Sequence, residues 1–179
     1  MNSKSKRINY VKFTASLILI AASALPSFAA DTVVRWQNVV GVITAPNVDN
    51  PVAGFSAGTL PWNTRGGGVR IDLTTGMGSF DVEGLVLNGG NATGTTGPIT
   101  SVVGTLVCNP GGDSANPPTQ VTVDTPATAL SPQGNAELSF RVNVPQTCTN
   151  PLFLIRIPQF GLRWIAAGAV RTVSSPSAY

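Results

Sequence analysis

The run AELSFRVNV at residues 136–144 alternates without a fault. Leu138, Phe140, Val142 and Val144 fall on one side; Glu137, Ser139, Arg141 and Asn143 fall on the other. A period of two belongs to a strand with one buried and one wet face. The same period returns along the chain. VRIDL at 69–73 sets Val69, Ile71 and Leu73 against Arg70 and Asp72. SFDVEGLVL at 79–87 turns Phe80 and Val82 inward and Asp81 and Glu83 outward, and Gly84 then predicts a β-bulge before Leu85 and Leu87 resume in the shifted phase. Further strands are expected near 32–43, 99–108, 119–123, 152–157 and 162–172, with a short one around 57–62. LSPQGN places Ser131, Pro132 and Gly134 where a type I turn wants them. Beyond residue 30 no segment keeps a helical period, and the good helix formers Lys, Glu and Gln are scarce. About eight or nine strands with a turn signal every ten residues or so predict an all-β fold. The expected form is a single-domain antiparallel β-sandwich, immunoglobulin-like or jelly-roll-like.

The start of the chain reads differently. Lys4, Lys6, Arg7 and Lys12 precede an apolar stretch at 13–25, and Ser27 and Ala29 stand at the −3 and −1 positions of a small-residue cleavage site. The stretch is too short to cross roughly 30 Å of hydrocarbon, and Pro26 ends it. Residues 1–29 are therefore expected to be a signal peptide and residues 30–179 the β-sandwich domain. The destination is secreted, extracellular or periplasmic, with no stable membrane insertion after cleavage. Of the 11 Lys and Arg residues, four precede the cut, which leaves seven arginines against eight acids and a net charge of −1. The basic balance belongs to the export signal, so nucleic acid is not an expected partner.

Cys108 ends one alternating run and Cys148 follows another, and the chain holds no third cysteine. An exported domain with two thiols predicts a disulfide. Zinc wants about four ligands, and histidine is absent from the whole chain. Strand parity agrees. From Cys108 the chain turns, descends through 119–123, turns at 131–134 and ascends through 136–144, which returns Cys148 to the pole it left.

Catalytic machinery is hard to assemble from what remains. Without histidine, and without lysine after residue 12, the Ser-His-Asp, Cys-His, Ser-Lys and Schiff-base arrangements have no members. A carboxylate pair drawn from Asp72, Asp81 and Glu83 would suit a glycosidase, but the alternation already explains these groups as wet strand faces. No catalytic residue is assigned. The oxygen-rich stretches at 47–50 and 111–116 each hold a single carboxylate, Asp49 and Asp113, so neither a metal site nor a cofactor is expected.

Aromatic side chains are the remaining source of a site. Trp36, Trp62, Trp164, Phe55 and Phe160 could offer flat faces to a sugar. Trp36 and Trp164 fall within strands and are expected in the core. Trp62, in LPWNTRGGG, sits on a loop with Arg65 nearby, and these two are the candidate ligand-binding residues. The chain is thus expected to be an exported, non-catalytic β protein with a structural or binding role at the cell surface or outside it. A surface protein, a polysaccharide or a second copy of the chain would be its partner. The rivals are a carbohydrate-binding module using loop aromatics and a small carboxylate-dependent hydrolase.

Overall fold

The computed structural model describes residues 32–45, 48–111 and 120–174. The expected signal peptide at 1–29 and most of the stretch at 111–116, Asp113 included, lie outside these. Eleven strands follow one another: β1 (Val33–Gly41), β2 (Trp62–Asn63), β3 (Gly66–Asp72), β4 (Met77–Glu83), β5 (Val86–Leu87), β6 (Ser101–Cys108), β7 (Val121–Asp124), β8 (Thr128–Ala129), β9 (Ala136–Arg141), β10 (Leu152–Ile157) and β11 (Arg163–Ser174). Every pairing within the sheet and the ribbon is antiparallel.

Neighbouring strands join in the order β7-β6-β10-β11-β1-β3-β4-β9, and β8 pairs with β6. The expected all-β, antiparallel character holds. Its layering is that of one long sheet curled on itself, with β2 and β5 as a separate two-stranded ribbon. Twist explains the curl: each strand is rotated against the last by roughly 20–25°, and over many strands the ends come round to meet. They meet at β8, where the Thr128 hydroxyl donates to the Glu137 carbonyl of β9 at 3.1 Å. β7 and β8 are one strand interrupted at 125–127. Across that break Thr125 keeps contact with β6, donating its N–H to the Gly104 carbonyl and accepting from the Gly104 N–H.

The concave side holds the core. Trp36, Phe80, Phe153, Ile71, Val82, Leu106 and Ile155 are all buried in it. Phe80 on β4 lies 5.6 Å, centroid to centroid, from Phe153 on β10, four places away in the ladder. Opposing arcs of the sheet therefore press on each other. β10 and β11 carry long buried runs because the segment 48–61 crosses their convex side. Ala57 bridges Trp164, and the Trp164 Nε1–H donates to the Asn50 carbonyl at 3.0 Å. Trp36 and Trp164 are core residues, as expected.

Two local expectations resolve differently. Gly84 makes no bulge. At φ +61° it ends β4, and the chain leaves the sheet so that β5 can pair with β2. The turn at 131–134 forms as predicted, the Gly134 N–H donating to the Ser131 carbonyl at 2.8 Å. Gly134 is needed there twice over, because its φ is +79° and any Cβ would strike the backbone of Leu85.

Candidate functional site

The two ends of the curled sheet differ. At one end Cys108 and Cys148 form the predicted disulfide, with Cα atoms 4.7 Å apart. Thr32, Leu73 and Val144 gather beside Cys148, and Val33 pairs with Ser174. Thr32 and Ser174, the outermost described residues, thus lie at the disulfide end. The β2–β5 ribbon caps the other end. Its Trp62 N–H donates to the Val42 carbonyl and the Leu85 N–H to the Gly134 carbonyl, each at 2.8 Å. Gly41 permits this cap, since a Cβ there would collide with the Trp62 carbonyl.

Under the cap lies a pocket of about 240 Å³. Trp62, Leu87, Ile99 and Ile157 are buried in its walls, while Leu60 and Phe160 stand at the mouth with 39% and 51% of their surface exposed. Phe160 ends a short 3₁₀ turn, Pro158–Phe160, that joins β10 to β11. Arg163 closes one side, its Nη1 donating to the Ala57 carbonyl at 2.8 Å. Beyond Arg163 a second, more polar hollow of about 330 Å³ opens beside Asp49. The Asp49 carboxyl is held below its ordinary pKa by the Ser56 hydroxyl, the Ala57 N–H and, more weakly, the Arg163 charge.

The candidate residues divide here. Trp62 is 3% exposed, so it forms a wall and presents no flat face to solvent. Arg65 is exposed and lies across Gly84, outside the pocket lining. The cation at this site is Arg163, which reasoning from loop residues passed over because it opens a strand. Phe160 is the expected aromatic that does reach solvent; Phe55 is half-buried under Arg156.

Arg156 is the one buried charged side chain among the described residues, signalled beforehand only as a lone arginine inside LFLIRI. Its Nε donates to the Leu162 carbonyl at 2.7 Å, and Nη1 donates to Thr105 Oγ1 and Asp124 Oδ1, each at 3.2 Å. The guanidinium stacks 3.9 Å from the Phe55 ring centre. Burial lowers its pKa and the Asp124 charge draws it back up. With Nε and Nη1 bonded and its plane over Phe55, Arg156 acts as a clamp holding the 48–61 segment to the sheet.

Asp72 lies apart from the other candidate carboxylates, while Asp81 and Glu83 share the exposed face of β4. Asp72 sits at the β3–β4 turn, accepting from the Thr74 and Thr75 N–H groups and the Thr75 hydroxyl. Asp81 lies far along the same hairpin, opposite Gly68 and Glu137. Burial would raise the Asp72 pKa, but the hydrogen bonds from Thr75 and Thr74 outweigh it and leave the group below its ordinary value. A depressed carboxylate stabilises the fold above its unfolded pKa of about 3.9 and loses that contribution as pH falls through the folded value. Asp72→Asn is therefore expected to lower the melting temperature at neutral pH and to cost less in acid, below the carboxyl's folded pKa. An equal loss in both conditions would mean the turn does not depend on the charge. No group of three or more His, Cys, Asp or Glu residues that could hold a metal occurs among the described residues.

Compared with known proteins, the chain matches no family model, no curated protein and no solved structure. Its chemistry has to be read from the site alone.

Proposed function

We propose that this chain is an exported, non-catalytic binding protein whose capped end receives an apolar group carrying a hydrogen-bond-accepting edge. In this reading residues 1–29 direct export, and the curled sheet serves as the two-layer sandwich expected from the sequence, held by a disulfide that suits an oxidising compartment. No described helix is long and apolar enough to cross a membrane. The observation that carries the reading is the pocket mouth. A half-exposed phenyl ring and a partly exposed leucine surround an opening whose walls are buried and apolar, and such a patch marks a contact site more often than idle surface. The mouth also lies at the end of the sheet opposite Thr32 and Cys148. Asp81 and Glu83 stand exposed on an open strand face with Asp72 apart at the turn, an arrangement without a cleft that supports the non-catalytic reading against a hydrolase.

The test uses anilinonaphthalene sulfonate, an aromatic body with an anionic edge. Saturable binding to the oxidised chain is expected, weakened about fivefold by Phe160→Ala. Arg163→Gln should weaken it as well. Dye binding that ignores Phe160→Ala would overturn the assignment. Displacement of the dye by a neutral oligosaccharide would favour the carbohydrate-binding alternative, for which the exposed Phe160 ring is the specific support. The structural-subunit alternative draws on the sheet itself: β7 and β9 end the ladder, and the edges they turn away from it gain no further strand over most of their length among the described residues.

A further inference from the structure

The walls of the pocket under the cap hold two polar groups that the fold does not use. Trp62 is 3% exposed and Thr96 is 6% exposed, and both line the pocket. Neither the Trp62 Nε1–H nor the Thr96 hydroxyl has a hydrogen-bond partner among the described residues. Buried indole N–H and hydroxyl groups ordinarily find one. Nearby groups do. The Trp164 Nε1–H donates to the Asn50 carbonyl at 3.0 Å. In the loop that carries Thr96, the Thr93 and Thr95 hydroxyls donate to the Gly90 and Ala92 carbonyls, each at 2.8 Å. Among the described residues, the unpartnered side-chain atom sealed away from solvent is Thr44 Oγ1. The Trp62 and Thr96 groups are not sealed, and the space they open onto is the pocket. Gly58 keeps the indole edge clear, since a Cβ there would stand 3.4 Å from Trp62 Nε1 and 3.0 Å from Ile165 Cγ2.

The structure assigns these two groups to a ligand, a small apolar molecule with a neutral carbonyl that Trp62 and Thr96 hold. The inference rests on the capped-end reading and names what enters there. An indole N–H can only donate and a hydroxyl can donate, so the ligand has to bring an acceptor. A pure hydrocarbon that displaced solvent would strand both groups. The acceptor is uncharged. Both donors are neutral and stand among Leu87, Ile99 and Ile157. A carboxylate brought between them would give up its hydration without meeting an opposite charge. The pocket's cation is already engaged: Arg163 Nη1 donates to the Ala57 carbonyl, and Asp49 in the adjoining hollow feels its charge. Arg163 can therefore meet an anionic edge at the side of the pocket, while the inner wall suits a neutral oxygen. Size narrows the class further. At about 240 Å³ the pocket lies below the roughly 300–1,000 Å³ of sites that enclose drug-sized ligands, so a single ring or short acyl chain fits. A sugar would set hydroxyls against apolar walls on most of its sides.

Nuclear magnetic resonance titration of the oxidised chain, labelled at its tryptophan indoles, tests this. The probes are cyclohexyl methyl ketone, ethylcyclohexane and cyclohexanecarboxylate, which are close in size and carry no aromatic ring current. Thr96→Val exchanges the hydroxyl for a methyl group and should weaken the ketone about tenfold relative to ethylcyclohexane. Binding of the hydrocarbon to the same variant reports that its pocket still forms. The second readout needs only the natural chain. The Trp62 indole proton, identified by its loss in Trp62→Phe, should move upfield with ethylcyclohexane, which offers it no acceptor, and hold its place with the ketone. The Trp36 and Trp164 indole protons should respond to neither. The carboxylate should bind more weakly than the ketone. No binding of the ketone, no selective loss of it in Thr96→Val, an equal response of the Trp62 proton to ketone and hydrocarbon, or a carboxylate that binds more tightly than the ketone would each overturn the proposal. Any of these beside dye binding that still depends on Phe160 would remove the inner-wall assignment alone. Dye binding that ignores Phe160→Ala would remove the capped-end reading with it.

Discussion

Phe80→Ala is expected to lower the free energy of unfolding by about 3–5 kcal/mol. Phe80 is 1% exposed and touches both aromatic neighbours across the core, Phe153 at 5.6 Å and Phe140 at 6.3 Å between ring centres. These separations suit tilted aromatic pairs, which add to simple burial. Room for the rings comes from Gly104 on β6, where a Cβ would press into both Phe153 and Phe80. Removing the Phe80 ring therefore empties a space enclosed by paired strands, and paired backbones cannot readily close in to fill it. Urea unfolding followed by tryptophan fluorescence measures the loss. Phe160→Ala, half-exposed at the pocket mouth, should cost less than about 1 kcal/mol in the same assay. If the two costs were alike, the contact between opposing arcs would not be the centre of the fold.

Breaking the disulfide is the second large effect. Cys108 and Cys148 close a loop of 40 residues, and removing such a bridge frees unfolded-state entropy equivalent to about 4 kcal/mol. The flanking loops are already zipped together. The Asn109 N–H donates to the Thr149 carbonyl at 2.9 Å, and Asn109 Oδ1 accepts from both the Thr149 N–H and its hydroxyl at 2.7 Å. That alignment lets the reduced chain reach the same native state, so the cost falls mainly on stability rather than on shape. Paired Cys108→Ser and Cys148→Ser substitutions, or a reductant, should drop the melting temperature by about 10–20 °C. The far-ultraviolet dichroism of the folded state should stay unchanged. A loss of a degree or two would mean the loops hold their geometry without the bond.

Much of this fold was legible because alternation reports directly on which side chains are inside. Val69, Ile71, Phe80 and Val82 all face the core as their spacing requires. The cysteines meet because counting strands fixes the end at which each one finishes. What alternation cannot report is which strands become neighbours. One curled sheet and two stacked sheets bury the same residues, so the curl was invisible, as was β8, two residues long and recognisable only by its partners. Arg156 was opaque for a related reason: its burial depends on the 48–61 segment crossing β10, a contact about a hundred residues distant in sequence. The site shows the same limit. Arg65 is near Trp62 in sequence, yet the pocket takes its cation from Arg163.

The proposed function stands or falls on the capped end being the place where a ligand is held. Amide chemical-shift mapping of the oxidised chain during titration with anilinonaphthalene sulfonate addresses this directly. Shifts confined to residues 58–62, 87, 96–99 and 157–163, and lost in Phe160→Ala, are the expected result. Shifts centred on the disulfide end, or scattered evenly over the sheet, would contradict it.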